Sequence, residues 1–181
     1  MFGRFLHLRP WDTTLGGSGV IVEIDESVFR RRKYNRGRRR RQGWVFGAWD
    51  RETKLGLLQY VPDRSGDTLL PIIKEWCAPG TEIYSDGWAA YNSIEDIEDR
   101  DYEHGVVVHE RHFVDPETGV CTNAVEGMWS QAKRKMKRMV GMHEHLIPTY
   151  LDEFMWLQRF GKTSEDAFQN MVEQIADFYR V

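Results

Sequence analysis

Three acidic residues stand at positions from which a folded sheet could bring them together. Asp25 follows the short apolar run Val20–Ile24, Asp86 follows the run Thr81–Ser85, and Glu126 lies in a segment with helical periodicity. Hard divalent cations prefer several oxygen ligands, and two ions about 3.5–4 Å apart can activate an attacking water or 3′-hydroxyl in phosphodiester chemistry. Three carboxylates are a workable minimum for such a metal site, although a single acidic residue after a strand is usually a turn or cap residue.

Two short segments carry most of the positive charge. Nine of the twelve residues from Arg30 to Arg41 are basic, as are five of the six from Lys133 to Arg138, in a chain with a net charge of −3. A dense run of like charges repels itself and requires solvent or a polyanion. The first segment fits a solvated charge run, a nuclear-localisation signal or a phosphate-binding arm, and we favour phosphate binding beside a nuclease-like site. The predicted DNA-binding residues are Arg36, Arg38, Arg39, Arg40, Arg41, Lys133, Arg134 and Lys137.

The elements that must position these residues alternate between strands and helices. Strands are indicated by short β-branched and aromatic runs bounded by polar residues, and helices by apolar residues at a spacing of three and four. The order predicts a mixed sheet covered by helices, and hence one α/β domain. The strands are predicted at 20–24, 44–49, 55–61, 81–85 and 102–109, and the helices at 69–76, 122–139, 146–160 and 166–178.

Composition excludes several classes of protein. The chain has 181 residues, of which 41% are hydrophobic and 29% charged, as expected for one soluble domain with a core. No window approaches 18 consecutive apolar residues, which argues against a membrane protein. Cys77 and Cys121 form no Cys-x-x-Cys motif, so we expect neither a zinc finger nor a disulfide framework, and a reducing compartment. Six tryptophans lie in apolar runs and are predicted to be mostly core residues, with no base-stacking role assignable: Trp44, Trp49, Trp76, Trp88, Trp129 and Trp156.

Several short motifs occur in a fixed order along most of the chain. They are Val22–Ser27, Lys33–Arg38, Trp44–Gly47, Tyr84–Tyr91, Val108–His109 and Thr122–Lys133. In this order and spacing, from about Val20 to Gly161, the chain resembles the DDE transposases of the Merlin superfamily and their bacterial ISXO-type insertion-sequence relatives. The resemblance implies an RNase H-like catalytic core that cleaves DNA strands and transfers them with two Mg²⁺ or Mn²⁺ ions.

The resemblance also implies roles for individual residues. Asp25, Asp86 and Glu126 become the metal-binding triad. Asn123 lies one helical turn before Glu126 and is an alternative third ligand or a supporting residue. Because side chains alternate along a strand, Glu23 is expected on the same side as Asp25 and is an accessory candidate.

Two further residues match positions that the family marks. Lys133 lies seven residues after Glu126, two helical turns along the same face, where related transposases place a basic residue against DNA. His109 precedes the catalytic helix, where a histidine could contact the scissile phosphate; a purely structural histidine fits this position equally well.

The resemblance divides the chain into three parts. We expect a flexible arm at 1–19, an RNase H-like DDE catalytic domain at 20–161 and a helical extension at 162–181 that packs on the same domain. Only 24 residues precede Asp25, whereas full-length transposases of this kind carry a DNA-recognition region there. We therefore expect that module to be lacking, as in a fragment, an incomplete gene model or a host protein derived from a transposon.

The predicted function is that of a DDE-type transposase catalytic domain. Two alternatives remain: a transposon-derived nucleic-acid-binding protein without turnover, and an RNase H-like nuclease acting on RNA. The expected partners are DNA and further copies of the chain, as a homodimer or higher assembly, and no membrane. The expected location is the nucleus in a eukaryotic host, or otherwise the cytoplasm with the nucleoid.

Overall fold

Five strands form one mixed sheet, as the sequence predicts. The computed structural model describes residues 14–30, 42–107, 121–138 and 143–179. The strand order is β3-β2-β1-β4-β5; β1 pairs antiparallel with β2, β2 antiparallel with β3, and β4 lies parallel to both β1 and β5. The strands are β1 Ile21–Arg30, β2 Gly43–Asp50, β3 Gly56–Val61, β4 Glu82–Asp86 and β5 Glu103–Val107.

Helices cover both faces of the sheet. One face packs against α1 through Leu69, Ile72 and Ile73, in a core that includes Ile24 and Phe46. The opposite face packs against α2 and α3, in a second core that includes Val45 and Leu58. Neighbouring residues of a strand thus enter different cores, as the alternation of side chains requires. The helices are α1 Gly66–Trp76, α2 Asn123–Arg138, α3 Ile147–Phe160 and α4 Ser164–Tyr179, with 3₁₀ turns at Ala89–Tyr91 and Glu144–Leu146.

The first strand is longer than predicted, and this changes the position of Asp25. We expected the strand to stop at Ile24, but β1 continues to Arg30 because its second half pairs with β2, where Asp25 lies opposite Gly47. Asp25 is therefore in the middle of a strand. The parallel pairing with β4 nevertheless stops at Glu23, so Asp25 lies where β1 and β4 separate.

The end of the predicted flexible arm packs on the domain from Thr14 onward. Leu15 is buried in the core next to α1, donates its N–H to the Trp76 carbonyl at 2.7 Å and accepts one from Ala78 at 2.9 Å. Residues 1–13 lie outside the described residues.

The last helix, α4, lies against α3. The Trp156 indole donates to Gln174, and the side-chain amide of Asn170 donates to the Phe160 carbonyl, both at 2.9 Å. Among the described residues, no helix is both long and apolar enough to span a membrane.

Candidate active site

Asp25 and Asp86 lie side by side on neighbouring strands. The last pair of the parallel β1–β4 ladder is Glu23 with Tyr84, and two more residues along each strand bring Asp25 and Asp86 to the same face. Neighbouring strands run about 4.8 Å apart. The point where parallel strands separate at their carboxyl ends forms a crevice, which is the usual ligand position in an α/β sheet.

Glu126 borders the same crevice from α2. Its side chain is exposed and belongs to the first turn of that helix. Burial raises the pKa of Asp25 to about 6, and repulsion by the carboxylates of Asp86 and Glu126 adds to the rise, while hydrogen bonds from the Glu26 backbone and the Trp129 indole oppose it. The three acidic side chains therefore share one electrostatic environment.

The carboxylates of Asp25, Asp86 and Glu126 are suitable ligands for a divalent cation, but their side chains do not converge on one point. Carboxylate oxygens are the ligands that Mg²⁺ and Mn²⁺ prefer, and a cation would relieve the mutual repulsion of the three acids. Within the described ranges, no three Asp, Glu, His or Cys side chains surround a common point. The triad of Asp25, Asp86 and Glu126 thus stays a prediction, as does Asn123, whose exposed side chain stands at the first position of α2.

Three side chains on one face of β1 hold α2 over the crevice. Glu23 accepts hydrogen bonds from the backbone of Ala124 and Val125, Asp25 accepts one from the Trp129 indole, and Ser27 accepts one from Lys133. The three residues of β1 are two positions apart, or about 6.8 Å along the strand, and their partners on α2 are four positions apart, or about 6.0 Å along the helix. Because these two distances are similar, each contact is followed by the next. We call these contacts the three β1–α2 bridges. The first joins Glu23 to Ala124 and Val125, the second joins Asp25 to Trp129, and the third joins Ser27 to Lys133.

Glu23 is the most buried of these three residues, with 1% of its surface exposed. One carboxylate oxygen accepts the N–H groups of Ala124 and Val125 at 2.8 and 2.9 Å, and the other accepts Arg51 Nε at 2.6 Å. The carboxylate thereby satisfies two helix N–H groups that lack partners within the helix, at the end where a negative charge is favourable. Arg51 also reaches the carbonyl oxygen and the sulfur of Cys121, both at 2.9 Å, just before α2. Glu23 lies on the same face of β1 as Asp25, as expected, but its carboxylate oxygens bind the start of α2 and Arg51.

The Trp129 indole of α2 orients the Asp25 carboxylate by a hydrogen bond. Its Nε1 donates to Asp25 Oδ2 at 2.9 Å, and Phe29 packs edge-on against the ring at a centroid distance of 5.6 Å. Gly47 makes room for the indole, because a Cβ at this position would lie only 2.6 Å from Trp129. The Trp129–Asp25 bond was not foreseen from the sequence, where Trp129 was simply one of the apolar residues of a helix.

Replacing Trp129 with Phe should raise the pKa of Asp25 above its value of about 6, because the indole hydrogen bond lowers that pKa. The measurement is an NMR titration of the Asp25 side-chain carboxyl carbon in the metal-free protein. Trp156→Phe is the matched control, since it removes an indole that binds Gln174 instead. An Asp25 pKa that is the same in Trp129→Phe and the parent would contradict this account.

The cations of α2 occupy two environments. Lys133 is half-buried, donates to Ser27 and lies 5.5 Å from the centroid of the Phe29 ring. Arg134 and Lys137 are exposed. The basic residues predicted in the loop after β1, and His109, lie outside the described residues: Arg36, Arg38, Arg39, Arg40, Arg41 and His109.

A cluster of aromatic and charged residues borders Asp86 on the opposite face of the sheet. Trp88 donates its backbone N–H to Asp86 Oδ1 at 3.0 Å and its indole N–H to the Arg64 carbonyl at 3.0 Å. The Arg64 guanidinium lies 4.1 Å from the ring centroids of both Trp44 and Trp88. Trp88 is 38% exposed, in contrast to its predicted place among mostly core tryptophans, since it follows the end of β4 and stacks on Arg64 rather than in either core.

Glu26 is a further acidic residue beside the crevice, and sequence reasoning gave it no role. Its side chain is buried next to Tyr91, and burial, together with Asp25 and Asp86, raises its pKa to about 7. Tyr91 and Arg64 oppose that rise. Glu26 and Tyr91 are close enough to affect each other's pKa, yet neither Glu26 Oε1 nor the Tyr91 hydroxyl makes a regular hydrogen bond among the described residues. Strand alternation could have placed Glu26 under α1, but not beside Asp86.

Comparisons with known proteins agree with this architecture. The model of the ISXO2-like transposase domain matches residues 14–159. An uncharacterized transposase-like protein of Haemophilus influenzae is 27% identical over 115 residues, which cover 64% of this chain and 88% of that protein.

Solved structures with a similar fold include retroviral integrase cores. The HTLV-2 integrase catalytic core domain in complex with magnesium matches with a TM-score of 0.51 at 12% identity, over 79% of this chain and 86% of that one. The BIV integrase catalytic core matches with a TM-score of 0.51 at 11% identity, over 76% and 81% of the two chains. These cores have the RNase H-like fold, so the fold implied by the sequence motifs is confirmed.

Proposed function

The chain belongs to the family of ISXO2-like transposase domains, and we therefore propose that it is a DDE-type catalytic domain that cleaves DNA strands and transfers them with divalent metal ions. The observation that carries this proposal is the placement of Asp25 and Asp86 on one face of adjacent strands, at the point where the strands separate. Fold similarity alone would not suffice, because one fold hosts many functions.

Asp25, Asp86 and Glu126 would hold the ions, with Asn123 as the alternative to Glu126. Two bound Mg²⁺ or Mn²⁺ ions would supply activation of a water or 3′-hydroxyl and stabilisation of the leaving oxygen. The chain's own residues prepare the ligands. The Trp129 indole fixes one oxygen of Asp25, and Glu23 fixes the first turn of α2, which carries Glu126. The magnesium complex of the HTLV-2 integrase core supports metal use by this fold.

The basic side chains would hold the DNA backbone. Arg134 and Lys137 are exposed on the helix that carries Glu126. Lys133 contacts Ser27, which lies two residues after Asp25 on β1. Contacts to phosphates fix the position of a duplex without reading its sequence, so we expect binding that weakens steeply with salt. The basic loop residues Arg36 and Arg38–Arg41 are assigned to the same role. We further propose assembly as a homodimer or higher oligomer on DNA, which the dimeric form of the HTLV-2 core supports.

A plasmid-nicking assay tests the proposal. Supercoiled DNA should be converted to nicked circles with Mg²⁺ or Mn²⁺ and stay intact with EDTA, and the same ions should raise the melting temperature of the protein. Asp86→Asn should reduce both effects, because it removes one carboxylate ligand. Asp96→Asn, at an exposed acidic position, is the matched control and should behave as the parent.

Three results of this assay would count against the proposal. DNA binding without nicking in any metal would favour a binding protein without turnover. Preferential cleavage of an RNA-containing duplex would favour an RNA nuclease that reads 2′-hydroxyls. A melting temperature that responds equally to metal in the parent and in Asp86→Asn would remove Asp86 from the site.

A further inference from the structure

Trp88 is an exposed aromatic ring that the proposed chemistry does not use. Of the described large hydrophobic side chains, seven are exposed; five of them lie on α4, and the other two, Trp88 and Val106, lie near Asp86. Val106 lies on β5 opposite Ser85, and a Cβ on Gly87 would be 3.9 Å from it, so Val106 borders the end of β4, which Trp88 follows by two residues. Because Trp88 is exposed next to Asp86 and belongs to neither core, its ring is open to a role other than core packing.

The ring of Trp88 is held in one orientation. Its backbone N–H binds Asp86, and its indole N–H binds the Arg64 carbonyl, each at 3.0 Å. The Arg64 guanidinium is stacked between Trp88 and Trp44, 4.1 Å from each ring centroid. Because the Trp88 side chain is already ordered, binding of a ligand to its ring would cost little further side-chain entropy of the protein.

Among the described residues, Arg64 covers one face of this ring. The exposed 38% of Trp88 must then come from the other face, which we call the outer face, and from the ring edges. Flat aromatic ligands stack on such a face, and every nucleobase has a π-face of suitable size. A base inside a duplex is covered on both sides by its neighbours, whereas an unpaired or extruded base is not. Two partly exposed side chains offer far less area than the about 800 Å² per side that a stable protein partner buries.

We propose that the outer face of Trp88 is a binding site for one unpaired nucleobase of the DNA whose phosphate lies at Asp86. This inference rests on the proposed function, because it takes the DNA strand to pass the Asp25–Asp86 crevice. Trp88 is a positioning residue: stacking holds the strand beside the carboxylates and takes no part in bond breaking. The site favours DNA that is frayed or distorted near the cleaved bond over intact duplex.

The test uses two oligonucleotide duplexes that are identical except for one 2-aminopurine, which is paired in one and unpaired in the other. Binding is measured in Ca²⁺, which we use to limit cleavage during the titration. The parent protein should quench the unpaired 2-aminopurine and bind that duplex more tightly than the paired one. Trp88→Ala should abolish the quenching and weaken binding of the unpaired duplex roughly tenfold to hundredfold, with paired-duplex binding unchanged. Trp88→Phe should retain part of both effects.

Phe168→Ala is the control, since Phe168 is an exposed aromatic residue on α4; it should bind both duplexes as the parent does. Thermal melting of each variant excludes misfolding, and the Trp88 backbone N–H to Asp86 survives every substitution. Equal binding of the two duplexes by the parent, or equal weakening of both in Trp88→Ala, would overturn the stacking site. Metal-dependent nicking by the parent in that case would leave the proposed function standing, whereas a parent that neither binds nor nicks DNA would refute both.

Discussion

Asp25→Asn should abolish metal-dependent nicking and at the same time stabilise the metal-free protein at neutral pH. The loss of activity should be about 10³-fold or more, because metal ions contribute several kcal/mol of charge stabilisation to the transition state and Asn is a poorer ligand than a carboxylate. If Asp25 served only the fold, its replacement would lower the stability of the protein. A loss of nicking together with a gain in stability would identify Asp25 as a residue that serves catalysis at the expense of stability.

The direction of the stability change follows from the pKa of Asp25. It lies at about 6 in the folded protein, against an ordinary value of 3.8. The folded state therefore binds this proton more tightly than the unfolded chain does. Stability from this group is fully present below about pH 4 and is lost as the pH rises through 6, by an amount of the order of 2–3 kcal/mol. Asn carries no charge at any pH, so this loss should be missing in the variant.

Urea unfolding of the parent and of Asp25→Asn between pH 4 and 8, with EDTA present, measures this difference. In EDTA, the two stability curves should diverge as the pH rises. In a separate series without EDTA, added Mg²⁺ or Mn²⁺ should stabilise the parent alone. Asp96→Asn, at an exposed acidic position outside the helices and strands, provides a control that should follow the parent at every pH. Parallel curves for Asp25→Asn and the parent, or retained nicking in the variant, would contradict the assignment.

Glu23→Ala should be the most destabilising single substitution at the site. It leaves the Arg51 guanidinium and the N–H groups of Ala124 and Val125 without their acceptor, in a place where Glu23 is 1% exposed. Hydrogen bonds to a charged group contribute about 1.5–3 kcal/mol each. The Arg51 side chain is 27% exposed and stays partly hydrated, so the expected cost comes mainly from the two helix N–H groups and amounts to about 3–5 kcal/mol. We expect a loss of that size in the free energy of unfolding, measured by urea denaturation.

Hydrogen exchange should show where that stability is lost. The amides at the start of α2 should exchange much faster in Glu23→Ala, while those of β2 and β3 should change only with the global stability. Glu52→Ala, an exposed acidic residue beside Arg51, is the matched control and should cost less than about 0.5 kcal/mol. A loss below about 1 kcal/mol in Glu23→Ala would mean that Glu23 does not anchor the helix.

The parts of the site that depend on local patterns were predictable. Asp86 was placed at the end of a strand, and Glu126 on an amphipathic helix, because apolar periodicity fixes the type of an element over a few residues. Both placements agree with the structure. The predicted hairpin and the three long helices after residue 122 depend on the same kind of signal.

The parts that depend on distant partners were not predictable. The second half of β1 begins with three polar residues, at which the strand is predicted to stop, since nothing local indicates that β2 supplies its hydrogen bonds. The partners of Glu23 are 28 and about 100 residues away in the chain. Trp88 lies in an apolar run that looks like core, whereas in the fold its ring stacks on Arg64 and hydrogen-bonds the carbonyl of that residue, 24 positions earlier. Such pairings are tertiary and carry no periodic signal.

The matched spacing of the three β1–α2 bridges restricts how evolution can alter the length of these elements. Deleting one residue from α2 after Val125 would rotate everything that follows by about 100° and withdraw both the Trp129 indole and Lys133 from the strand. Deleting one residue from β1 between Glu23 and Ser27 would send the following side chains to the opposite face. Insertions and deletions should therefore be absent from these two stretches among relatives and should concentrate in the connections around them, so that a gap inside either stretch of an alignment would mark a misaligned or decayed copy.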